Sequence, residues 1–179
     1  MIGREIQRLR ILIENLLNLS RLDLTQVTLR TTPHDLNEII QSLVDDRYAL
    51  AKERGLNLTA ELFPALPLIW LDEAMIVQAI SNLLTNALNY TPVGGDVHIR
   101  TRMTDDSYGK SWVIFSVQDT GPGINMADLP HIFERFYRGK AGRDTGAPGT
   151  GLGLAIVNEM SVTKTGWFQS VPPVLGHWS

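Results

Sequence analysis

The chain contains no cysteine. That excludes disulfides and thiolate-bound metals, and it fits a reducing compartment. It also lacks any apolar run near the ~20 residues that a membrane helix requires. No signal peptide is visible, since Met1 opens straight into an amphipathic segment, and the start reads as an internal piece of a longer protein. Positive charge is in short supply: 16 Lys and Arg face 19 Asp and Glu, for a net charge of −3, which argues against nucleic acid as a partner. What is present in quantity is apolar surface. Hydrophobic residues make up 44% of 179, enough for one domain with its own core plus an appended element.

Ile2, Ile6, Leu9, Ile13 and Leu16 recur at alternating spacings of four and three, a heptad-like stripe on a helix. Leu12, Leu17 and Leu19 widen the stripe beyond a two-stranded seam, so a helical hairpin or four-helix bundle suits it better. This helix is expected to end near Leu24 to Gln26 and to need a partner helix. Val27 to Thr32 reads as a short strand ended by Pro33. Asp35 with Glu38 forms a capping box for a helix that Gly55 closes near Arg54. Leu56 to Leu62 alternates as a half-buried strand, and Leu68 to Leu71 is another. Asp72 caps a helix carrying Ile76, Ile80, Leu83, Leu84 and Ala87, which stops before Pro92. Val97, Ile99, Thr101 and Met103 alternate as a strand paired with Trp112 to Asp119 through a loop at 105–110. Residues 124–148 are irregular apart from the island Ile132 to Tyr137, the pattern of a lid or a disordered segment. Leu152 to Met160 is helical, and no internal repeat is visible.

Three blocks within this frame carry chemistry. Asn82 and Asn86 lie four apart and share one helix face; an amide oxygen is a hard, neutral ligand suited to a hydrated Mg²⁺ that bridges phosphates. Two asparagines alone read as a polar helix face, but the continuation through Tyr90 to Pro92 reverses that preference. Asp119 ends a strand and precedes Thr120-Gly121-Pro122-Gly123. A carboxylate there can accept the exocyclic amine of adenine, and the glycines let backbone approach a flat ring. Gly149, Thr150, Gly151, Leu152 and Gly153 open a helix whose free N–H groups suit phosphate. This run is neither a Walker A loop nor a dinucleotide fingerprint, and by itself a flexible hinge is an alternative. Phe133, Phe136 and Tyr137 are candidate lid anchors; Arg135, Arg138, Lys140 and Arg143 are within reach of a triphosphate, although a solvated charge is the commoner role for each.

In this order the blocks resemble the N, G1, F and G2 boxes of bacterial sensor histidine kinases, from the ATPase superfamily shared with type II topoisomerases, the large heat-shock chaperone and mismatch-repair ATPases. The resemblance covers residues 4 to about 160. Glu14 to Asp23 resembles the second helix of the kinase dimerisation domain, and Ile132 to Gly139 is similar to the F box, which points to the kinase branch. The resemblance implies an α/β (α+β) sandwich: a mixed sheet covered on one face by helices, with ATP on the helical side. It implies that Asn86 holds Mg²⁺, that Asn82 lies beside the phosphates and acts in catalysis with Arg138, and that Tyr90 packs near the nucleotide. Asp119 would bind adenine in a pocket shaped by Gly121 and Gly123. Gly149, Gly151 and Gly153 would shape the lid hinge, and Asn89, Ile124, Phe133, Thr150 and Leu152 complete the nucleotide-contacting set.

The implied organisation is a partial dimerisation helix at 1–26, the ATP-binding catalytic domain at 27–160 and an atypical tail at 161–179. The implied activity is transfer of the γ-phosphoryl of ATP to a histidine in two-component signal transduction. The implied partners are a second copy, through the N-terminal helix, and a response regulator, but not nucleic acid. The implied setting is a cytoplasmic domain of a membrane-associated protein. Three departures stand out. Asn89 occupies a place where the family often carries Lys or Arg. None of His34, His98, His131 and His177 has the context of the phosphoacceptor. Thr163 to Ser179 does not resemble the family's final strands, which leads to the expectation of an exposed sheet edge and reduced stability. A module that binds ATP without transferring it is therefore the alternative; a serine kinase of the same superfamily fits the first helix and the F box less well.

Overall fold

The computed structural model describes residues 30–109, 111–144 and 149–162. The expected N-terminal helix and the tail beyond 162 lie outside the described residues. The elements in chain order are β1 (Thr32–His34), α1 (Leu36–Glu53), β2 (Asn57–Glu61), β3 (Ile69–Leu71), α2 (Glu73–Tyr90), β4 (Asp96–Asp105), β5 (Ser111–Asp119), α3 (Lys140–Asp144) and α4 (Gly153–Val162).

Local chemistry sets the helix ends. The Asp35 carboxylate accepts from the N–H groups of Asn37 at 2.8 Å and Glu38 at 3.4 Å, satisfying two donors that α1 leaves open. Asp72 does the same for α2 by accepting from Met75 N at 3.3 Å, and its other oxygen accepts from Arg30 N at 3.1 Å. At the far end of α2 the Thr91 hydroxyl donates to Ala87 O at 2.7 Å, just before Pro92 ends the helix.

The strands form a mixed three-stranded sheet in the order β2-β4-β5, with β2 parallel to β4 and β4 antiparallel to β5, and a separate two-stranded antiparallel pair of β1 with β3. One expectation is corrected here. The first strand does not end at Pro33; it runs through it, with Pro33 opposite Trp70. A proline is accepted in so short a strand, in a sheet of only two, because its missing N–H need not enter a ladder.

Alternation on β4 points Val97, Ile99 and Thr101 inward, all at most 2% exposed. Helix α1 lays Leu36, Ile39, Ile40, Leu43 and Val44 against this face, and α2 adds Ile80, Leu84, Ala87 and Leu88. The other side of α2 packs on α4 through Ala79, Leu152, Ile156 and Val157. Each fully buried Leu or Ile contributes roughly 1.5–3 kcal/mol relative to exposure, so α2 is anchored from two directions. The opposite face of the sheet is polar. Arg100 sits 2.6 Å from Glu61 and holds that carboxyl below its ordinary range, with His98 adding to the effect.

One polar cluster around the buried Thr101 ties the layers together. Thr101 Oγ1 donates to Asn37 Oδ1 at 3.1 Å and accepts from Phe63 N at 2.7 Å, while Asn37 Nδ2 donates to Phe63 O at 2.8 Å. Helix α1, strand β4 and the loop after β2 are thereby locked in register. Thr101→Val keeps the shape but strands the Phe63 N–H and one asparagine lone pair. The expected loss is about 1–3 kcal/mol of stability, read as a lowered urea midpoint at an unchanged m-value.

Candidate functional site

Asn82, Asn86 and Asn89 fall at i, i+4 and i+7 on α2, so the three amides form one row along the helix. The Asn82 amide donates to Gly153 O at 3.2 Å, which fixes the first turn of α4 against the start of the row. Asn86 is half-buried. At the end of the row Asn89 Oδ1 accepts from Arg54 Nη1 at 2.8 Å.

Strand β5 delivers Asp119 to the same end of the domain. Its Oδ1 accepts from Gly121 N at 2.8 Å, a tight turn that orients an exposed carboxylate. A Cβ at Gly121 would lie 2.6 Å from Asp119 Oδ1 and 3.0 Å from Tyr90 O, so only glycine lets this turn close on the end of α2. Thr120 pins the turn from behind: its N–H donates to Asp96 O at 3.1 Å, and its hydroxyl oxygen accepts from Asp96 N at 2.9 Å.

The segment after Gly123 is irregular but internally tied. Asp128 is its buried hub, accepting from Tyr137 OH at 2.6 Å and from Lys140 N at 2.8 Å. These bonds, the Tyr137 one foremost, hold the Asp128 carboxyl below the ordinary carboxylate range, and the same bond raises Tyr137. His131 and Glu134 pair at 2.6 Å, and the His131 ring sits against Tyr137 with centroids 5.4 Å apart. Arg138 is folded back so that its Nη2 donates to Gly142 O, and Arg143 donates to Arg138 O. Tyr90 OH lies beside Gly142, where a Cβ would come within 2.8 Å of it, so the end of α2 also touches this segment next to Arg138.

The glycine run before α4 closes the arrangement. Phe136 N donates to Gly151 O at 2.9 Å. Gly151 has φ +72°, and a Cβ there would meet the Phe136 carbonyl carbon at 2.6 Å. Phe136 is itself left-handed, at φ +65°. For a bulky residue this is costly, by about 1–3 kcal/mol, and it persists because the contact with Gly151 demands it.

The structure thus brings together Asn82 with Gly153, Tyr90 with Gly121, Tyr90 with Arg138 across Gly142, and Phe136 with Gly151. Other candidates stand differently. Leu152 is fully buried in the α2–α4 cluster, and only its N–H turns outward, donating to Thr150 Oγ1 at 3.3 Å. Gly123 and Gly149 have open space where a Cβ would stand. Phe133 is half-buried, and Ile124 is 37% exposed. Two contributors escaped the sequence reading. Asp128 had no local signal beyond being an acid inside an irregular stretch, and Arg54 reaches the row from a helix that no motif marks.

Among the described residues no cluster of His, Cys, Asp or Glu could hold a metal by itself. The donors along α2 are neutral amides, which suits a hard ion that shares its shell with phosphates and water. Residues 71–174 match the family described as Histidine kinase-, DNA gyrase B-, and HSP90-like ATPase. The chain belongs to this family. Its relatives are sensor kinases. The sensor histidine kinase Hik2 of Thermosynechococcus vestitus is 36% identical over 165 residues, spanning 89% of this chain and 41% of that protein. WalK of Bacillus subtilis is 33% identical over 171 residues, spanning 93% of this chain and 27% of that one. Among solved structures, full-length ShkA in complex with AMPPNP superposes with a TM-score of 0.72 at 30% identity, over 87% of this chain and 31% of that one. The nucleotide-free catalytic domain of the histidine kinase ThkA gives 0.60 at 27%, over 74% of this chain and 80% of that one. The chain is thus an ATP-binding catalytic domain of the sensor histidine kinase type, with the α+β fold of that family. It spans less than half the length of either curated relative.

Two outcomes are expected of the contacts within the segment at 124–144 and with the glycine run. Gly151→Ala should separate Phe136 from the glycine run, seen as faster amide hydrogen exchange over 133–139 while the exchange of β4 is unchanged. Asp128 has a folded pKa below its ordinary value of 3.8, so its stabilising bonds are intact above that value and are lost as pH falls through the folded pKa. Exchange over 133–140 should therefore rise on acidification below about pH 4, and Asp128→Asn should remove that acid limb.

Proposed function

We propose that this chain is the ATP-binding catalytic part of a sensor histidine kinase, which transfers the γ-phosphoryl of ATP to a histidine in two-component signalling. The observation that carries this reading is the meeting of four separated blocks on one side of α2. The asparagine row, the Asp119 turn, the Arg138 segment and the glycine run all touch α2 or each other there.

Each group has a chemical task in this reading. The exposed Asp119 oxygens accept the exocyclic amine of adenine, while Gly121 and Gly123 let the ring lie close to backbone. Tyr90, Ile124 and Phe133 border the base and sugar. Asn82, Asn89 and the N–H groups of Thr150, Gly151 and Gly153 face the phosphates, with the N-terminus of α4 adding a favourable dipole. Asn86 offers its amide oxygen to Mg²⁺, which when bound neutralises phosphate charge and fixes the phosphates' orientation. Arg138 leaves Gly142 O to meet the terminal phosphoryl, where a planar cation stabilises charge that builds up during transfer. Catalysis of this kind is positioning and charge stabilisation, and it needs no covalent intermediate on the catalytic domain itself; the phosphoryl group goes directly from ATP to the acceptor histidine.

In the same reading residues 1–26 form part of a dimerisation helix, 27–160 the catalytic domain and 161–179 an atypical tail. The protein pairs with a second copy through the first of these and passes its phosphoryl group to a response regulator. The catalytic domain works in the cytoplasm. Among the described residues no helix is long and apolar enough to cross a membrane. The phosphoacceptor histidine is supplied outside this chain's own histidines. His34, His98 and His131 are engaged with Thr32, Thr59 and Glu134 respectively.

Titration of the chain with ATP in the presence of Mg²⁺ should be saturable, and Asp119→Asn should weaken it by about 10–100-fold, the worth of a charge-assisted hydrogen bond. Mixed with a dimerisation domain carrying an intact acceptor histidine, the chain should label that domain from γ-labelled ATP. Saturable binding without label would reduce the reading to an ATP-binding module.

A further inference from the structure

We infer that Arg54 is a phosphate-contacting residue of the nucleotide site, supplying from α1 the fixed positive charge that the asparagine row of α2 lacks. The inference rests on the nucleotide reading above and adds a residue to it.

The row of Asn82, Asn86 and Asn89 is neutral, yet the ligand it faces in that reading carries several negative charges. Arg54 stands at the end of this row. Its Nη1 donates to Asn89 Oδ1 at 2.8 Å and to Leu88 O at 3.0 Å. Both protons of Nη1 are thereby used. A guanidinium has five N–H donors in a rigid fork, and among the described residues Nε and Nη2 have no protein partner. Arg54 is only half-buried, so part of its side chain faces solvent.

The same contact orients Asn89. Arginine can only donate, so the atom facing it is the amide oxygen, and both Asn89 N–H donors are directed away from Arg54. Paired donation from the two remaining guanidinium nitrogens of Arg54 suits phosphate oxygens.

The base of the side chain is held firmly. Arg54 is the C-cap of α1, with its N–H donating to Leu50 O and Ala51 O at 3.1 Å each. The following residue is bolted to the turn after α2 by Gly94 N donating to Gly55 O at 2.8 Å, and Asn57 N donates to Gly95 O at 3.0 Å. The end of α1 and the end of α2 therefore form one rigid corner. Capping of Leu88 O explains one of the two Nη1 bonds, but it does not account for the bond to the side chain of Asn89.

The test uses the full chain and titrates ATP and adenosine separately, with Mg²⁺, at low and moderate salt. Arg54→Gln should weaken ATP by about 5–50-fold and leave adenosine within about twofold, with a shallower salt dependence for ATP. Adding Asn89→Lys to R54Q should restore ATP binding, because it returns a cation to the end of the row. If R54Q binds ATP like the wild type, or loses ATP and adenosine equally, the inference is overturned while the nucleotide reading stands. If the wild type binds neither ligand, the reading itself falls, and this inference with it. Should R54Q not fold, as read by circular dichroism, the wild type answers the question by NMR. The Arg54 Nε–H resonance should shift on adding ATP and stay in place with adenosine; no shift with ATP overturns the inference.

Discussion

Everything in this domain is arranged around the double burial of α2. Ile80, Leu84, Ala87 and Leu88 pack with the layer made by the sheet and α1, while Ala79, Leu152, Ile156 and Val157 join α2 to α4. A helix held from two sides cannot roll, and the row of Asn82, Asn86 and Asn89 inherits that rigidity. Polar groups that must hold a ligand within a fraction of an ångström are best placed on such an element. The cost is that the row is narrow, so the rest of the site has to be brought to it by loops.

Those loops are positioned by close backbone contacts rather than by apolar packing. Gly121 lets the Asp119 turn touch Tyr90 O, and Gly151 lets the segment at Phe136 bond to the glycine run. In both places a methyl group would collide at 2.6 Å. Asp128 does the corresponding work inside the irregular segment after Gly123, using one carboxylate to collect a tyrosine hydroxyl and a backbone N–H nine and twelve residues away. The segment at 124–144 is thus held by a few directional bonds. Segments of that kind open at low free-energy cost.

Secondary structure was largely legible because its causes are local. Asp35 and Asp72 cap the helices they were read to cap, and the alternation Val97, Ile99, Thr101 is the inward face of β4. The first strand was misplaced because Pro33 was treated as a terminator. The ladder of a two-stranded pair does not need its N–H, and that depends on which strand lies opposite, a tertiary fact. Thr101 falls in phase with Val97 and Ile99 in the sequence, but its partners Asn37 and Phe63 lie far off in the chain and could not be named from spacing.

The sequence by itself determined the family, the order of the blocks and the residue types offered to a nucleotide, because glycine spacing, asparagine spacing and a strand-end carboxylate are one-dimensional signals. It also showed the neutral Asn89 where a cation is common. Only the tertiary structure decided which blocks touch, that Asp128 ties the segment after Gly123 together, that Leu152 turns into the core, and that Arg54 of a different helix stands against Asn89. The physical reason is the same in each case. A hydrogen bond acts over about 3 Å, and partners separated by dozens of residues come within that distance only once the core has set the elements in place.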